Sequence, residues 1–450
     1  MKKKLCLVVI WFALIVCSLF CTSCTESVRY IALKRSSLNA ETWLEVEKND
    51  SLNICIDSKV RTWETSLDTE ILNDSCLKIQ VPTLIGVNTI NVKFYDSDSS
   101  HKINLAIGMK YLNFKNEEVL LGFDSQDTVD MILAREFNKH DPKRMESIEG
   151  TYLVDLYPVT NCEFMQVMWD SIPEDLGDDE NLNTWILRKK HSVRNDKCDI
   201  HDSAASMVSL YQALKYANAR SIRDGLKPYY KFSNTISNKE QIRIQNPRHY
   251  YIIGYYDFKG YRNKTIGVKM DSTSDGYRLP YYDEWMMLAR GGDKEKKTPW
   301  GNSSAFFEIT KYAKFDAKIK CSALERNKPL QKIYEKIDFC GKEDDSGRVG
   351  LLKPNGYGLY DMFGLVAEHV LFDKLTYVSQ ITMQVNINFF QQERHDLNCI
   401  ENCPSCLKGG GIHDNWQTIN YGYSSPNNDN RKLAGFRLIR NIGNNAKWKL

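Results

Sequence analysis

The sequence predicts a small β-rich domain followed by a larger α/β domain with much irregular structure. Three observations carry this. Ile90-Asn91-Val92-Lys93-Phe94 alternates apolar and polar residues, the two-residue period of a half-buried strand. Ser203–Gly225 and Asp283–Gly292 carry helical signals, with acids or a polar residue at the start and glycine at the end. Lys353–Glu368, reading KPNGYGLYDMFGLVAE, alternates turn residues with a short apolar ridge, as suits a buried irregular loop.

Residues 1–24 read as a lipoprotein signal peptide. Lys2, Lys3 and Lys4 precede an apolar run from Leu5 to Phe20, and Cys21-Thr22-Ser23 leads into Cys24. The pattern resembles a bacterial lipobox with Cys24 as the acylated residue, although Cys21 stands where leucine is usual. An ordinary cleaved signal and an uncleaved anchor are the alternatives. No other run approaches the ~20 apolar residues that span a bilayer. The expectation is an exported chain, lipid-anchored to a bacterial membrane on the periplasmic or cell-surface side, the outer membrane favoured.

Composition is that of an ordinary globular protein: 450 residues, 42% hydrophobic, 26% charged. A net charge of +3 gives no case for nucleic acid. Of 13 cysteines, Cys6, Cys17, Cys21 and Cys24 lie in the leader, which leaves nine. An exported compartment permits disulfides, and an odd count leaves one thiol free or paired with another chain. Cys55 with Cys76 is a plausible bridge inside the first domain.

Residues 25–109 are expected to form an antiparallel, immunoglobulin-like sandwich. Asn53–Asp57 alternates only loosely, and polar clusters such as Asp96–Ser100 punctuate the runs. The segment holds no catalytic constellation, so a spacer or interaction module is expected. Residues 110–445 form the second domain. Val119-Leu120-Leu121-Gly122 precedes a charged stretch, Asp124–Glu149, read as a surface loop. Tyr152–Leu156 is strand-like and ends at Pro158, and Thr160 or Asn161 can cap the following helix. Leu210, Leu214 and Ala217 share one face of the Ser203–Gly225 helix. Lys231–Ser274 reads as a long Tyr-rich insertion or hairpin.

Several ordered motifs then carry a family resemblance. They are Tyr152–Asn161, the Ser203–Gly225 helix, Tyr277-Arg278-Leu279-Pro280 leading into Asp283–Gly292, Thr298–Asn302, Lys353–Glu368 and Gly435-Phe436-Arg437-Leu438-Ile439-Arg440. Together they resemble the sulfatase-modifying-factor, or formylglycine-generating-enzyme, family over roughly Val119–Arg440. The resemblance implies a compact α/β fold with much irregular structure, akin to the C-type lectin fold.

The resemblance also says where chemistry belongs. Aerobic formylglycine-generating enzymes hold copper between two cysteines that follow a glycine-rich turn. The corresponding turn here is Lys408-Gly409-Gly410-Gly411, and gapless alignment puts Asp414 and Ile419 at those two positions. Neither is a thiolate, whereas Cu(I) prefers sulfur and oxidation through a mixed disulfide needs a protein thiol. The reading therefore leans away from an enzyme. The family's calcium site maps by position onto the side chains of Asp361 and Glu368 and the carbonyls of Gly364 and Val366, so Ca²⁺ is the implied cofactor. Leu365 and Ala367 depart from the family pattern, and the alternative is that Asp361 caps a turn while Glu368 lies at the surface.

Two further groups stand out. Cys399, Cys403 and Cys406 are read as disulfide partners, with Cys340 or Cys321 as candidate mates and a zinc site including His395 as the alternative. The stretch from His413 to Asn430 is rich in Asn, Tyr and Ser. Its residues His413, Asp414, Asn415, Trp416, Tyr421 and Tyr423 form the candidate binding surface for a protein or glycan. The first functional expectation is thus a membrane-anchored lipoprotein with a non-catalytic, lectin-like binding domain. The rivals are a sulfatase-maturation-type oxidoreductase with rearranged ligands and a structural subunit of a surface machine.

Overall fold

The computed structural model describes residues 28–38, 41–121, 144–168, 202–206, 208–233, 250–255, 264–293, 298–301, 306–315, 347–371, 405–412, 425–426 and 434–442. The chain divides into two compact units, Met1–Pro82 with Asn88–Leu105, and Thr83–Val87 with Ala106–Leu450.

The first unit is built from strands β1 (Arg29–Leu33), β2 (Glu41–Val46), β3 (Ser51–Ile56), β4 (Val60–Glu64), β5 (Thr69–Asn73) and β6 (Cys76–Gln80), with most of β7 (Gly86–Phe94) and β8 (Ser100–Ile107). They form two four-stranded sheets, ordered β1-β3-β6-β5 and β2-β8-β7-β4. Each sheet buries alternate residues: Leu52, Ile54 and Ile56 on β3, and Ile90, Val92 and Phe94 on β7. That is the pattern of a sandwich. The loosely patterned Asn53–Asp57 stretch thus lies largely on a regular strand. The expectation of wholly antiparallel sheets is corrected at one edge, where β1 pairs parallel to β3. The intervening β2 belongs to the other sheet, so the chain leaves the first sheet and re-enters it in the same direction. Cys55 and Cys76 are registered partners on β3 and β6 and form the expected disulfide.

The second unit is organised on two long antiparallel strands, β9 (Met109–Leu121) and β10 (Arg144–Asp155), with an irregularity between Ile148 and Gly150. Gly150 has φ +132°, open to glycine alone at little cost. The charged stretch expected to be a surface loop is, over residues 144–149, the first half of β10. Ladder pairing with Glu117–Leu121 and burial of Ile148 outweigh its polar composition. Helix α1 (Asn161–Met168) follows. Thr160 Oγ1 accepts the Glu163 N–H at 3.3 Å, and Glu163 Oε2 accepts the Thr160 N–H at 3.1 Å. This reciprocal pair is the predicted cap.

Helix α2 runs Leu210–Arg223, seven residues later than Ser203. Ser203 and Ala204 are held in β-bridges to Arg348 and Thr160, and Ser209 is the real cap, bonded reciprocally with Gln212. Gly225 ends the helix as predicted, at φ +70°. The expected insertion contains a three-stranded sheet, β11 (Tyr230–Ser233), β12 (Tyr250–Tyr255) and β13 (Lys264–Met270), ordered β11-β13-β12. Helix α3 (Tyr282–Arg290) ends on left-handed Gly291, and the short α4 spans Phe306–Ile309. The last sheet combines β14 (Ala367–Leu371), β15 (Ser405–Lys408), β16 (Ser425–Pro426) and β17 (Ala434–Gly435), and β18 (Ile439–Ile442) joins the edge of β10. Trp285, Leu288, Leu359, Met362, Phe363 and Val370 pack with Leu121 and Val154 in one core.

Candidate functional site

The loop Lys353–Val366 is irregular because its polar groups are satisfied one by one instead of by a ladder. Asn355 is buried and acts as a clamp. Its Nδ2 donates to Leu288 O at the end of α3 (2.7 Å), and its Oδ1 accepts the Tyr357 and Leu359 N–H groups (3.0 and 3.1 Å). Gly364 sits at φ +71°, where a Cβ would strike the Lys314 carbonyl. The neighbouring Leu365 has φ +60° and Asp361 has φ +53°, costly conformations for residues with side chains. Backbone bonds hold the Gly364-Leu365 corner: Gly364 N–H to Gly409 O (2.9 Å), Leu365 N–H to Lys314 O (2.8 Å) and Ile412 N–H to Leu365 O (3.0 Å). The loop is thereby tied to the glycine turn after β15.

The loop delivers the chain into β14, where all five side chains are buried. Successive side chains point to opposite faces. Glu368 accepts Trp285 Nε1–H on Oε2 (2.7 Å) and is clasped by Arg437, whose Nε lies 2.8 and 2.9 Å from the two oxygens. Arg437 Nη2 reaches Oε1 at 2.7 Å. Next to it, His369 lies 2.6 Å through Nε2 from Val208 O, which can only accept, so Nε2 carries the proton. Burial pushes the His369 imidazole down to about 4, and its Nδ1 has no hydrogen-bond partner among the described residues.

Asp361 is buried and accepts the Gly350 N–H on Oδ2 (2.6 Å). Burial pushes its carboxyl up to about 6, opposed by the Gly350 bond and by the charges of Arg437 and Lys314. A second buried pair adjoins Arg437, whose Nη1 donates to the Asp155 carbonyl. Arg220 Nη1 is 2.9 Å from both oxygens of Asp155, which also accepts the Leu438 N–H at 3.0 Å.

The structure thus gathers Asp361, Gly364, Val366 and Glu368 in one buried loop and strand, and Glu368 is interior rather than at the surface. The calcium ligand set fits poorly. A carboxylate offers about four lone-pair sites, and those of Glu368 meet two donors at each oxygen. One oxygen of Asp361 is also taken. Cys24, His413, Asp414, Asn415, Trp416, Ile419, Tyr421 and Tyr423 lie outside the described residues, as do Cys399 and Cys403. Cys162 on α1 is disulfide-bonded. No cysteine follows Cys406, so the thiol pair that the resemblance implies for copper is missing after the Gly409–Gly411 turn.

Sequence reasoning missed the roles of Arg437, Trp285 and His369. The signal for Arg437 was present: a lone arginine inside Gly435-Phe436-Arg437-Leu438-Ile439 enters a core only with a buried acid as its partner.

A family description, the Sulfatase-modifying factor enzyme 1-like domain, matches residues 119–442, most of the chain. The chain belongs to the sulfatase-modifying-factor family. The chaperone protein LppX of Paenibacillus barcinonensis is 28% identical over 165 residues, 36% of this chain and 49% of that protein. The formylglycine-generating enzyme of Thermomonospora curvata is 34% identical over 97 residues, 22% of this chain and 27% of the enzyme. The chain therefore spans half or less of the length of these curated relatives. Among solved structures, Treponema denticola variable protein 1 aligns at 17% identity and TM-score 0.42, covering 79% of this chain and 99% of that one. PvdO from Pseudomonas aeruginosa aligns at 15% and 0.39, covering 74% and 94%. In this family member Gly409 has φ +86° and Gly410 φ +71°, and no cysteine follows that turn in the sequence.

Proposed function

We propose that this protein is an exported, lipid-anchored member of the sulfatase-modifying-factor family that binds a protein or glycan ligand and does not oxidise a substrate cysteine. The observation that carries the reading is the donor set beyond the Gly409–Gly411 turn. From Ile412 to Leu450 there is no thiol, and the segment offers Trp416, Tyr421 and Tyr423 among Asn, Ser and Thr. Rigid aromatic rings among small polar groups favour recognition, since they contribute contact area with few torsions to freeze. A protein ligand agrees with the chaperone named among the relatives. The anchor rests on Cys24 behind its apolar run. No helix among the described residues is long and apolar enough to cross a membrane.

The test uses the full chain in a bacterial host with lipoprotein processing. Alkyne-palmitate should label the wild type, and Cys24→Ala should abolish the label and release the chain from membranes. The solubilised protein is then applied to arrays of bacterial glycans and of exported proteins. The expected result is saturable binding that weakens at least tenfold in the Trp416→Ala/Tyr421→Ala/Tyr423→Ala variant. Binding unchanged in that variant would refute the assigned surface.

A further inference from the structure

The surroundings of Arg437 have the composition of a cation site. Nη1 donates to the carbonyls of Asp155 (3.2 Å) and Leu156 (3.3 Å), Nη2 donates to the carbonyl of Tyr360 (2.8 Å), and Nε and Nη2 clasp Glu368. One carboxylate and three carbonyls, from the end of β10, the loop and β14, thus converge on one fully buried positive charge. The arrangement joins the segments that a metal would join if it took Asp361, Gly364, Val366 and Glu368.

We propose that the Arg437 guanidinium is the resident cation of this loop, and that Asp361–Glu368 folds and stays folded without calcium. Calcium needs about 6–8 oxygen ligands at roughly 2.3–2.6 Å. To take Glu368 it would have to displace donors from both oxygens, and Arg437 would be left buried without its anion. Trp285 adds to the barrier, because its indole N–H already holds Oε2 at 2.7 Å and its ring is fixed against Phe363, centroids 5.9 Å apart. A planar fork with five donors suits several oxygens held in fixed directions, which a spherical ion or a lysine ammonium does not reproduce. The inference does not depend on which ligand the domain binds.

The experiment compares the full chain in excess chelator and in millimolar calcium. The expected results are coincident thermal midpoints and no stoichiometric calcium in equilibrium dialysis. Arg437→Lys should lower the midpoint equally in both solutions. One calcium per chain, with a chelator-induced fall in midpoint that Asp361→Ala removes, would overturn the proposal. A calcium response that survives Asp361→Ala, which removes the side-chain oxygens, would place the ion outside this loop and support it. Should Arg437→Lys fail to fold, the comparison of wild type with Asp361→Ala decides alone.

Discussion

Replacing Arg220 by methionine probes how strongly the second unit depends on paired buried charge. Both Arg220 and Asp155 have fully buried side chains. Arg220 gives two bonds to Asp155, approaches Met109 Sδ at 3.1 Å and lies 4.0 Å over the Tyr277 ring. Burial pushes the Asp155 carboxyl up, against the opposing pull of Arg220 and the Leu438 N–H. Among the described residues, removing the guanidinium leaves the Leu438 N–H as the one donor facing a buried carboxylate. Breaking one side of such a pair costs about 3–5 kcal/mol, a large part of the ~5–15 kcal/mol that stabilises a domain. Arg220→Met should therefore unfold at markedly lower urea, with an unchanged slope. Arg220→Met/Asp155→Leu should recover much of the loss, since two apolar groups of similar volume replace two charges. Urea unfolding followed by Trp fluorescence measures all variants. A loss below about 1 kcal/mol for Arg220→Met, or a double variant no better than the single one, would refute the reasoning.

Three other outcomes are expected. Trp285→Phe keeps the ring packing but removes the donor to Glu368, and should cost about 1–3 kcal/mol by urea titration, the range for a bond to a buried charge. His369 titrates at about 4 when folded and near 6.5 when unfolded, so its contribution is fully present above pH 6.5 and is lost as pH falls through 6.5 toward 4. The loss approaches about 3 kcal/mol, and His369→Gln should flatten that slope in unfolding curves across the window. Cys55→Ala/Cys76→Ala opens a loop with sequence separation 21 and should lower the stability of the first unit by about 3 kcal/mol in calorimetry.

Much of this architecture was legible because it rests on local chemistry. The Thr160 cap, the Gly225 and Gly291 stops, the Ile90–Phe94 alternation and the turn-rich loop from Lys353 each follow from what nearby residues permit. The Cys55–Cys76 bridge was legible as a pairing within one domain. The misses are non-local. Ser203–Ser209 reads as helix until Arg348 and Thr160, distant in sequence, take Ser203 and Ala204 into bridges. Arg144–Glu149 reads as loop until β9 pairs with it. At the site, Asp361 and Glu368 could be named from the family resemblance. That Glu368 is already saturated depends on Trp285 and Arg437, 83 and 69 residues away. The parallel β1–β3 pair escaped for the same reason, since it depends on which sheet β2 joins.

The most direct test of the central claim is oxidation of cysteine itself. The purified full chain is incubated with a randomised cysteine-peptide library, oxygen, Cu(I) and a thiol reductant, and aldehyde products are captured with a hydrazine tag. The account predicts no aldehyde above the copper-only control, because no thiol follows Cys406 to hold the metal or to exchange with the substrate. Catalytic, protein-dependent formation of formylglycine would contradict it and would make this family member an oxidase with ligands drawn from elsewhere in the chain.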